Sequence, residues 1–352
     1  MEFKKSKKVK IGSQTVGGGE SVKIQSMCTT KTSDTEATVN QIIALEAAGC
    51  EIIRVSVLDE SDARAISEIK RKIKIPLVAD IHFSSALAVA AIENGADKVR
   101  INPGNIGGED KIKLVADCIK AHKIPVRVGA NTGSVEKEYL KRYGKTAESL
   151  VESALKSASL LEKYGVGDIV ISVKASDVPL TVQAYRLLAS RAEYPLHIGV
   201  TEAGTEEMAV VKSAAALGSL LIDGIGDTLR VSITDDPIKE ITAARRILRA
   251  VGRDKDFVNV ISCPTCGRCG WNSMELAKKV SKYVESVRKP LKIAVMGCVV
   301  NGPGEAADCD VGIAGAENYC VIFRNGVVYR KIESVDAEKE FFKEIESLIN
   351  AK

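Results

Sequence analysis

The chain has 352 residues; 45% are hydrophobic, 27% are charged, and 50 basic against 46 acidic residues leave a formal net charge of +4. So small a charge, with an aromatic content of 4%, argues against a nucleic-acid-binding protein, which needs basic surfaces and stacking platforms. No apolar run reaches the ~18 residues of a membrane helix, and no apolar signal segment follows the lysine-rich N-terminus. These features predict a cytoplasmic protein long enough for two domains, without nucleic-acid or membrane partners.

A repeated strand and helix pattern occupies the first two thirds of the chain. A short β-branched run followed by an amphipathic segment recurs eight times, with predicted strands at 22–27, 51–57, 76–81, 98–103, 125–130, 168–174, 196–202 and 229–234. The predicted helices are 36–48, 62–72, 85–94, 109–122, 146–164, 182–192, 206–217 and 237–251. Eight such units are typical of a (β/α)8 TIM barrel, an α/β fold, with a doubly wound open sheet as the alternative.

The pattern changes after Gly252, which predicts a barrel domain over 1–253 and a smaller α+β domain over 254–352. The predicted strands of this second domain are 256–262, 291–296, 310–314, 320–323 and 327–331, and its predicted helices are 273–288 and 337–349. Asn325 and Gly326, between the last two strands, are typical of a tight hairpin turn.

Basic side chains alternate with apolar ones at the ends of five predicted barrel strands, namely Arg54, Arg100, Arg127, Lys174 and Arg230. One such cation could pair with a neighbouring acid. Five of them outnumber the nearby acids Asp80, Glu202 and Asp227. Because barrel enzymes bind substrates at this end of their strands, the pattern predicts a site for an anion with several charges, and a diphosphate fits best.

Six of the nine cysteines fall within 58 positions near the C-terminus: Cys263, Cys266, Cys269, Cys298, Cys309 and Cys320. The odd total, without a secretory signal, argues against a disulfide framework. Two overlapping C-x-x-C spacings at 263–269 and a second loop at 297–305 are typical of zinc or iron–sulfur sites. Spacing alone nominates the first four cysteines as ligands and does not separate the two metals. Cys309 and Cys320 are predicted to be buried.

The cysteine loops, Cys-Pro-Thr-Cys-Gly-Arg at 263–268 and Gly-Cys-Val-Val-Asn-Gly-Pro-Gly-Glu-Ala at 297–306, resemble the cluster motif of the 4-hydroxy-3-methylbut-2-en-1-yl diphosphate synthase family. Barrel segments 25–27, 100–105, 171–177, 197–204 and 226–232 resemble that family too. The resemblance covers nearly the whole chain and implies the bacterial two-domain form. It implies reductive ring opening and dehydroxylation of 2-C-methyl-D-erythritol 2,4-cyclodiphosphate to 4-hydroxy-3-methylbut-2-enyl diphosphate, in non-mevalonate isoprenoid biosynthesis.

The resemblance also implies a cofactor and partners. It implies a [4Fe-4S] cluster held by Cys263, Cys266, Cys298 and Glu305, which leaves Cys269 without a role and corrects the expectation from spacing. A carboxylate is a more exchangeable iron ligand than a thiolate. The family implies flavodoxin or ferredoxin as the electron donor, and a homodimer in which one subunit's cluster domain covers the partner's barrel. The short junction at 251–256 also favours closure across a dimer.

For the diphosphate we expect the five basic side chains to act with His82, Asn102, Asn131 and Ser232. We expect His82, Glu202 and Glu305 to be catalytic, with Glu202 as a proton donor or electrostatic group, and Asp80 to orient His82 or an arginine. Two alternatives remain: a phosphosugar aldolase or isomerase with a zinc-stabilised C-terminal domain, and an RNA-binding zinc ribbon on a barrel scaffold.

Overall fold

In the computed structural model, which describes residues 4–351, eight parallel strands form one sheet in the N-terminal part of the chain. A bridge between Ile171 and Leu196 brings the two ends of this sheet together. A short hairpin precedes it, so the strands are β1 Val9–Ile11, β2 Gln14–Val16, β3 Lys23–Met27, β4 Ile52–Ser56, β5 Leu77–Asp80, β6 Lys98–Ile101, β7 Val126–Asn131, β8 Ile169–Lys174, β9 His197–Ile198 and β10 Thr228–Leu229. The predicted TIM barrel is confirmed.

Helices follow the barrel strands: α1 Thr35–Ala48, α2 Glu60–Lys72, α3 Ser85–Glu93, α4 Pro103–Ile106, α5 Glu109–His122, α6 Lys137–Tyr143, α7 Ala147–Glu162, α8 Val178–Arg191, α9 Glu206–Ile222 and α10 Pro237–Ala250. The side chains of Asp34, Asp59 and Ser84 accept backbone hydrogen bonds at the starts of α1, α2 and α3, which fixes where these helices begin. Strands β9 and β10 are shorter than predicted. Glu202, at the end of the predicted strand 196–202, has a left-handed backbone with φ 53°, which an extended strand does not accommodate.

The hairpin of β1 and β2 covers the N-terminal end of the barrel, and the sequence pattern did not predict it. Its turn residue Gly12 has φ 53°, and a Cβ there would lie 2.9 Å from Asp97 Oδ1 and 3.2 Å from Pro76 Cβ. Those two residues precede β6 and β5. The hairpin's apolar side chains form one cluster with interior residues of the barrel: Val9, Ile11, Val16, Ile52, Val78 and Val170. The barrel is therefore closed at this end.

The chain divides into two compact units, Met1–Arg253 and Asp254–Lys352. The second unit has a five-stranded sheet in chain order: β11 Val258–Ser262, β12 Leu291–Met296, β13 Val311–Gly315, β14 Tyr319–Arg324 and β15 Val327–Glu333. The first three strands are parallel, and β14 and β15 run antiparallel to their neighbours. Asn325 and Gly326 turn with φ 48° and 77°, as a hairpin of this length requires.

The helices of the second unit are α11 Ser273–Tyr283, α12 Gly302–Glu305 and α13 Ala337–Asn350. Phe341 and Ile345 of α13 are fully buried, in one core with Ile293 and Ile313 of the sheet. Helix α11 ends at Tyr283, before the predicted end at residue 288. Among residues 4–351, no helix is both long and apolar enough to cross a membrane.

Candidate active site

A pocket of about 280 Å³ opens where the barrel strands end, at the side opposite the hairpin. The structure brings eight of the predicted site residues to its wall: Arg54, Arg100, Arg127, Lys174, Arg230, His82, Asn131 and Ser232. Strand alternation produces this arrangement, because each basic side chain shares the interior face of its strand. The five cations therefore converge on one space.

Asp80, at the end of β5, is the one acid lining this pocket in the part of the chain that the structure describes. Its Oδ1 lies 3.0 Å from Arg100 Nη1, and its Oδ2 lies 3.6 Å from Arg54 Nε and 3.7 Å from His82 Nε2. Burial alone would raise the pKa of the Asp80 carboxyl, but Arg54, the hydrogen bond from His82, and Arg100 together hold that pKa well below its ordinary value. Asp80 is therefore ionised and neutralises only part of the pocket's charge.

The remaining positive charge is crowded. Burial, followed by repulsion from Arg127 and Arg54, lowers the pKa of Lys174 well below its ordinary value. Burial also lowers the pKa of Arg54 to about 10, against the opposing effect of Asp80. Cations that repel one another gain free energy when an anion with several charges binds between them. The pocket therefore favours a multiply charged anion.

Glu240 is a functional neighbour that the sequence pattern did not reveal. It lies in the first turn of α10, is 3% exposed, and accepts hydrogen bonds from Arg230 Nε and Nη2 at 3.1 and 3.0 Å. Ser26 Oγ and the backbone N–H of Ile233 also donate to it. This forked contact orients Arg230. The available signal in the sequence was an acid in the first turn of the helix that follows Arg230.

Two predicted residues do not line the pocket. Asn102 is buried, and its Oδ1 accepts a hydrogen bond from the Gly104 N–H at 3.1 Å, which caps the short helix α4. Glu202 is exposed in the loop that follows the pocket residue Thr201. Asn102 therefore shapes the loop after β6, and Glu202 lies at the edge of the barrel mouth.

The cysteine loops follow β11 and β12, which are neighbouring parallel strands and so end at the same edge of the sheet. The buried Gly297 begins the second loop, and its N–H donates to Cys263 Sγ of the first loop at 3.0 Å. A Cβ at Gly297 would lie 3.2 Å from Cys263 Sγ and 3.1 Å from Cys269 Sγ. A side chain at this position would crowd both sulfurs. The two loops therefore hold cysteines side by side, next to Cys298.

The individual thiols differ in their surroundings. Cys266 is exposed, and hydrogen bonds from the backbone and side chain of Arg268 lower the pKa of its thiol, which favours the metal-binding thiolate. Cys269 Sγ donates to the Trp271 carbonyl oxygen at 3.2 Å. Cys309 and Cys320 are buried, as predicted, and burial raises the pKa of each to about 11.

The donor set fits an iron–sulfur cluster or zinc, because soft sulfur donors lie on two adjacent loops around a glycine that leaves space for them. Glu305 ends α12 on the second loop and is exposed. Within residues 4–351, no three or more His, Cys, Asp or Glu side chains already converge as a metal site.

These features define the class: a TIM-barrel protein with a cationic pocket at the ends of its strands, joined to a domain with two adjacent cysteine loops. The sequence matches the GcpE TIM-barrel domain over residues 6–245 and the GcpE protein C-terminal domain over residues 259–347. The chain therefore belongs to the GcpE family, and the expected family resemblance is confirmed.

The names of curated relatives indicate the activity of the family. The chain is 54% identical over 347 residues to the 4-hydroxy-3-methylbut-2-en-1-yl diphosphate synthase (flavodoxin) of Caldanaerobacter subterraneus subsp. tengcongensis, covering 98% of both chains. It is 52% identical over 344 residues to the enzyme of that name from Caldicellulosiruptor saccharolyticus, covering 97% of this chain and 99% of the relative. This similarity supports the synthase and not the phosphosugar aldolase or isomerase alternative.

Among solved structures, dihydropteroate synthase from Stenotrophomonas maltophilia resembles the barrel. It covers 70% of this chain and 98% of its own, with a TM-score of 0.52 and 14% sequence identity. At that identity the likeness concerns the fold alone.

Proposed function

We propose that the chain is an iron–sulfur oxidoreductase that converts 2-C-methyl-D-erythritol 2,4-cyclodiphosphate to 4-hydroxy-3-methylbut-2-enyl diphosphate. The observation that carries the proposal is the convergence of five basic side chains on one pocket, in a chain whose full-length relatives bear the name of this synthase. The reaction consumes two electrons and one proton, breaks a ring carbon–oxygen bond, and releases one hydroxyl as water. The diphosphate of the product carries one more negative charge than the cyclic substrate.

The barrel residues bind and orient the diphosphate. Arg54, Arg100 and Arg127 can each donate N–H groups to phosphate oxygens, and Lys174 adds an ammonium group that a bound anion stabilises. Because these cations lack sufficient internal counter-charge, they stabilise the additional charge that develops on the diphosphate as the ring opens. The proposal includes Asn131 and Ser232 as hydrogen-bond partners on the same wall.

His82 and Glu202 are the proposed acid–base groups. His82 is exposed at the pocket and contacts both Asp80 and Arg100, which places its ring beside a ligand at the mouth. Glu202 lies at the edge of the mouth and would supply a proton or an electrostatic contact to the hydroxyl that leaves. Asn102 acts by holding the α4 loop beside Arg100.

We assign the cluster ligands to Cys263, Cys266, Cys298 and Glu305, with [4Fe-4S] as the cluster type. When bound, the cluster supplies the two electrons in single steps. Glu305, which is exposed, would be the most exchangeable of the four ligands, because a carboxylate binds iron less firmly than a thiolate does. The Cys269 thiol donates to the Trp271 carbonyl oxygen, so Cys269 would help to hold the shape of the loop and is not proposed as a ligand.

The proposed partners are flavodoxin, which the names of the relatives print, and a second copy of the chain. In the homodimer, the cysteine loops of one subunit would act on the pocket of its partner. Mixing Lys174→Ala and Glu305→Ala chains should then restore some activity through hybrid sites. Subunit exchange without recovered activity would contradict the shared site.

Nine unbridged cysteines support a cytoplasmic location.

The function is tested by anaerobic purification, metal and sulfide analysis, and turnover of the cyclodiphosphate with reduced flavodoxin. We expect about four irons per chain, a brown colour and formation of the allylic diphosphate. An Arg127→Ala chain should keep its iron and lose substrate binding, because Arg127 lies on the barrel. Colourless protein with one zinc per chain, or no turnover by fully loaded protein, would overturn the proposal.

A further inference from the structure

Polar side chains are buried in the barrel interior below the pocket. Lys98 and His197 have no solvent exposure, and Gln25 is 1% exposed. Within the described residues, Lys98 Nζ, His197 Nε2 and both polar atoms of the Gln25 side chain have no hydrogen-bond partner. His197 Nδ1 contacts Thr228 Oγ1 at 2.8 Å. Such isolated groups are rare in folded proteins and need an explanation.

Lys98 lies between the pocket and the closed end of the barrel. It precedes Arg100 by two residues on β6, so both side chains share the interior face. Its register partner on β5 is Val78, which packs against the apolar side chains of the β1–β2 hairpin. Lys98 thus has apolar residues beneath it and the cationic pocket above it.

Among residues 4–351, no carboxylate offsets a charge on Lys98. The charged or titratable groups that act on it from other strands are Arg54 on β4, Arg127 on β7 and His197 on β9, and Gln25 on β3 is neutral. Burial, Arg127 and Arg54, in that order, lower the pKa of Lys98 well below its ordinary value. A buried amine without an acceptor, beside two guanidinium groups, releases its proton.

An anion in the pocket reverses this balance. The guanidinium charges that disfavour a proton on Lys98 become paired with phosphate oxygens, and the anion's own field favours a positive charge below it. We propose that Lys98 takes up a proton when a multiply charged diphosphate binds, so that the barrel matches the charge of its ligand from beneath. The inference rests on the proposed function, in which the product carries more charge than the substrate. Lys98 is a positioning residue, since it does not line the pocket.

Calorimetry of full-length protein with inorganic pyrophosphate tests the inference. Titrations near neutral pH in buffers of different ionisation enthalpy give the number of protons taken up on binding. We expect the wild type to take up about one proton more than Lys98→Met. Proton uptake by pyrophosphate itself and by the other protein groups is the same in both chains, so it cancels in the difference. The pyrophosphate Kd of the wild type should also rise with pH more steeply than that of Lys98→Met, by up to about tenfold per pH unit.

Two further variants make the test specific. His197→Asn should keep the proton uptake, because its ring is not the acceptor. Lys98→Arg should bind pyrophosphate without the extra proton, because arginine is charged beforehand. Equal uptake in wild type and Lys98→Met, loss of uptake in His197→Asn alone, or no pyrophosphate binding to the wild type would each overturn the inference. Absence of cyclodiphosphate turnover with intact Lys98-dependent uptake would refute the proposed function alone.

Discussion

Replacing Asp80 by asparagine is the most direct test of charge balance in the pocket. The carboxylate is 5% exposed and contacts Arg100 at 3.0 Å, with Arg54 and His82 at 3.6 and 3.7 Å. Asparagine keeps the shape and removes the charge. The two guanidinium groups are then left without their shared counter-charge, which is the costly way to break a buried ion pair.

The magnitude follows from this geometry. Removing one partner of a buried pair costs about 3–5 kcal/mol, and we expect the lower end because only the Arg100 contact is a short hydrogen bond. The guanidinium charges that Asp80→Asn leaves uncompensated should attract pyrophosphate. The variant should therefore bind pyrophosphate about tenfold more tightly, or by about 1.4 kcal/mol. Saturating pyrophosphate should therefore narrow the stability gap between the wild type and Asp80→Asn by about half.

The pH dependence has a defined sign. The folded pKa of Asp80 lies below its ordinary value of about 3.9, so its stabilising effect is complete above about pH 4. This stabilising effect is lost as the pH falls toward the folded pKa, because the Asp80 carboxyl is then protonated in the unfolded chain but still ionised in the folded chain. The stability gap between the wild type and Asp80→Asn should therefore be widest at neutral pH and narrow in acid.

Denaturant unfolding of the barrel, with and without pyrophosphate, measures these effects. Glu152→Gln is the matched control, because Glu152 pairs with Arg191 at 2.7 Å on the surface and should cost less than about 1 kcal/mol. Weaker pyrophosphate binding by Asp80→Asn than by the wild type, or a stability loss no larger than that of the control, would refute the charge-balance reasoning.

Three further outcomes follow from the site. Lys174→Ala should raise the pyrophosphate Kd roughly ten- to a hundredfold at unchanged iron content, since one charge-assisted contact is lost; calorimetry and iron analysis check this. Cys298→Ser should lose most of the iron, whereas Cys269→Ser should keep it, and loss of iron in both variants would restore the ligand set that spacing alone suggests. Removing the metal with a chelator should leave the pyrophosphate Kd of the full chain unchanged within about twofold, because every pocket residue lies on the barrel.

The order of elements and the character of the site could be predicted from the sequence. Hydrophobic periodicity is a local property, so the eight strand and helix units were visible in the chain, and helix α5 was predicted with its observed ends. The cations at Arg54, Arg100 and Arg127 were visible for the same reason, since alternation assigns a side chain to one face of its strand. The cysteine loops followed from spacing, and the family resemblance assigned the ligands.

Only the tertiary structure decided which side chains meet. The β1–β2 hairpin consists of three-residue strands, and their apolar residues are buried only because the hairpin packs against the N-terminal end of the barrel. Glu240 orients Arg230 because helix α10 packs against β3, and Lys98 is isolated because its neighbours across the barrel are cations. Periodicity places a residue on a face, but the partner across that face lies elsewhere in the chain, and its charge and distance exist only once the barrel has closed.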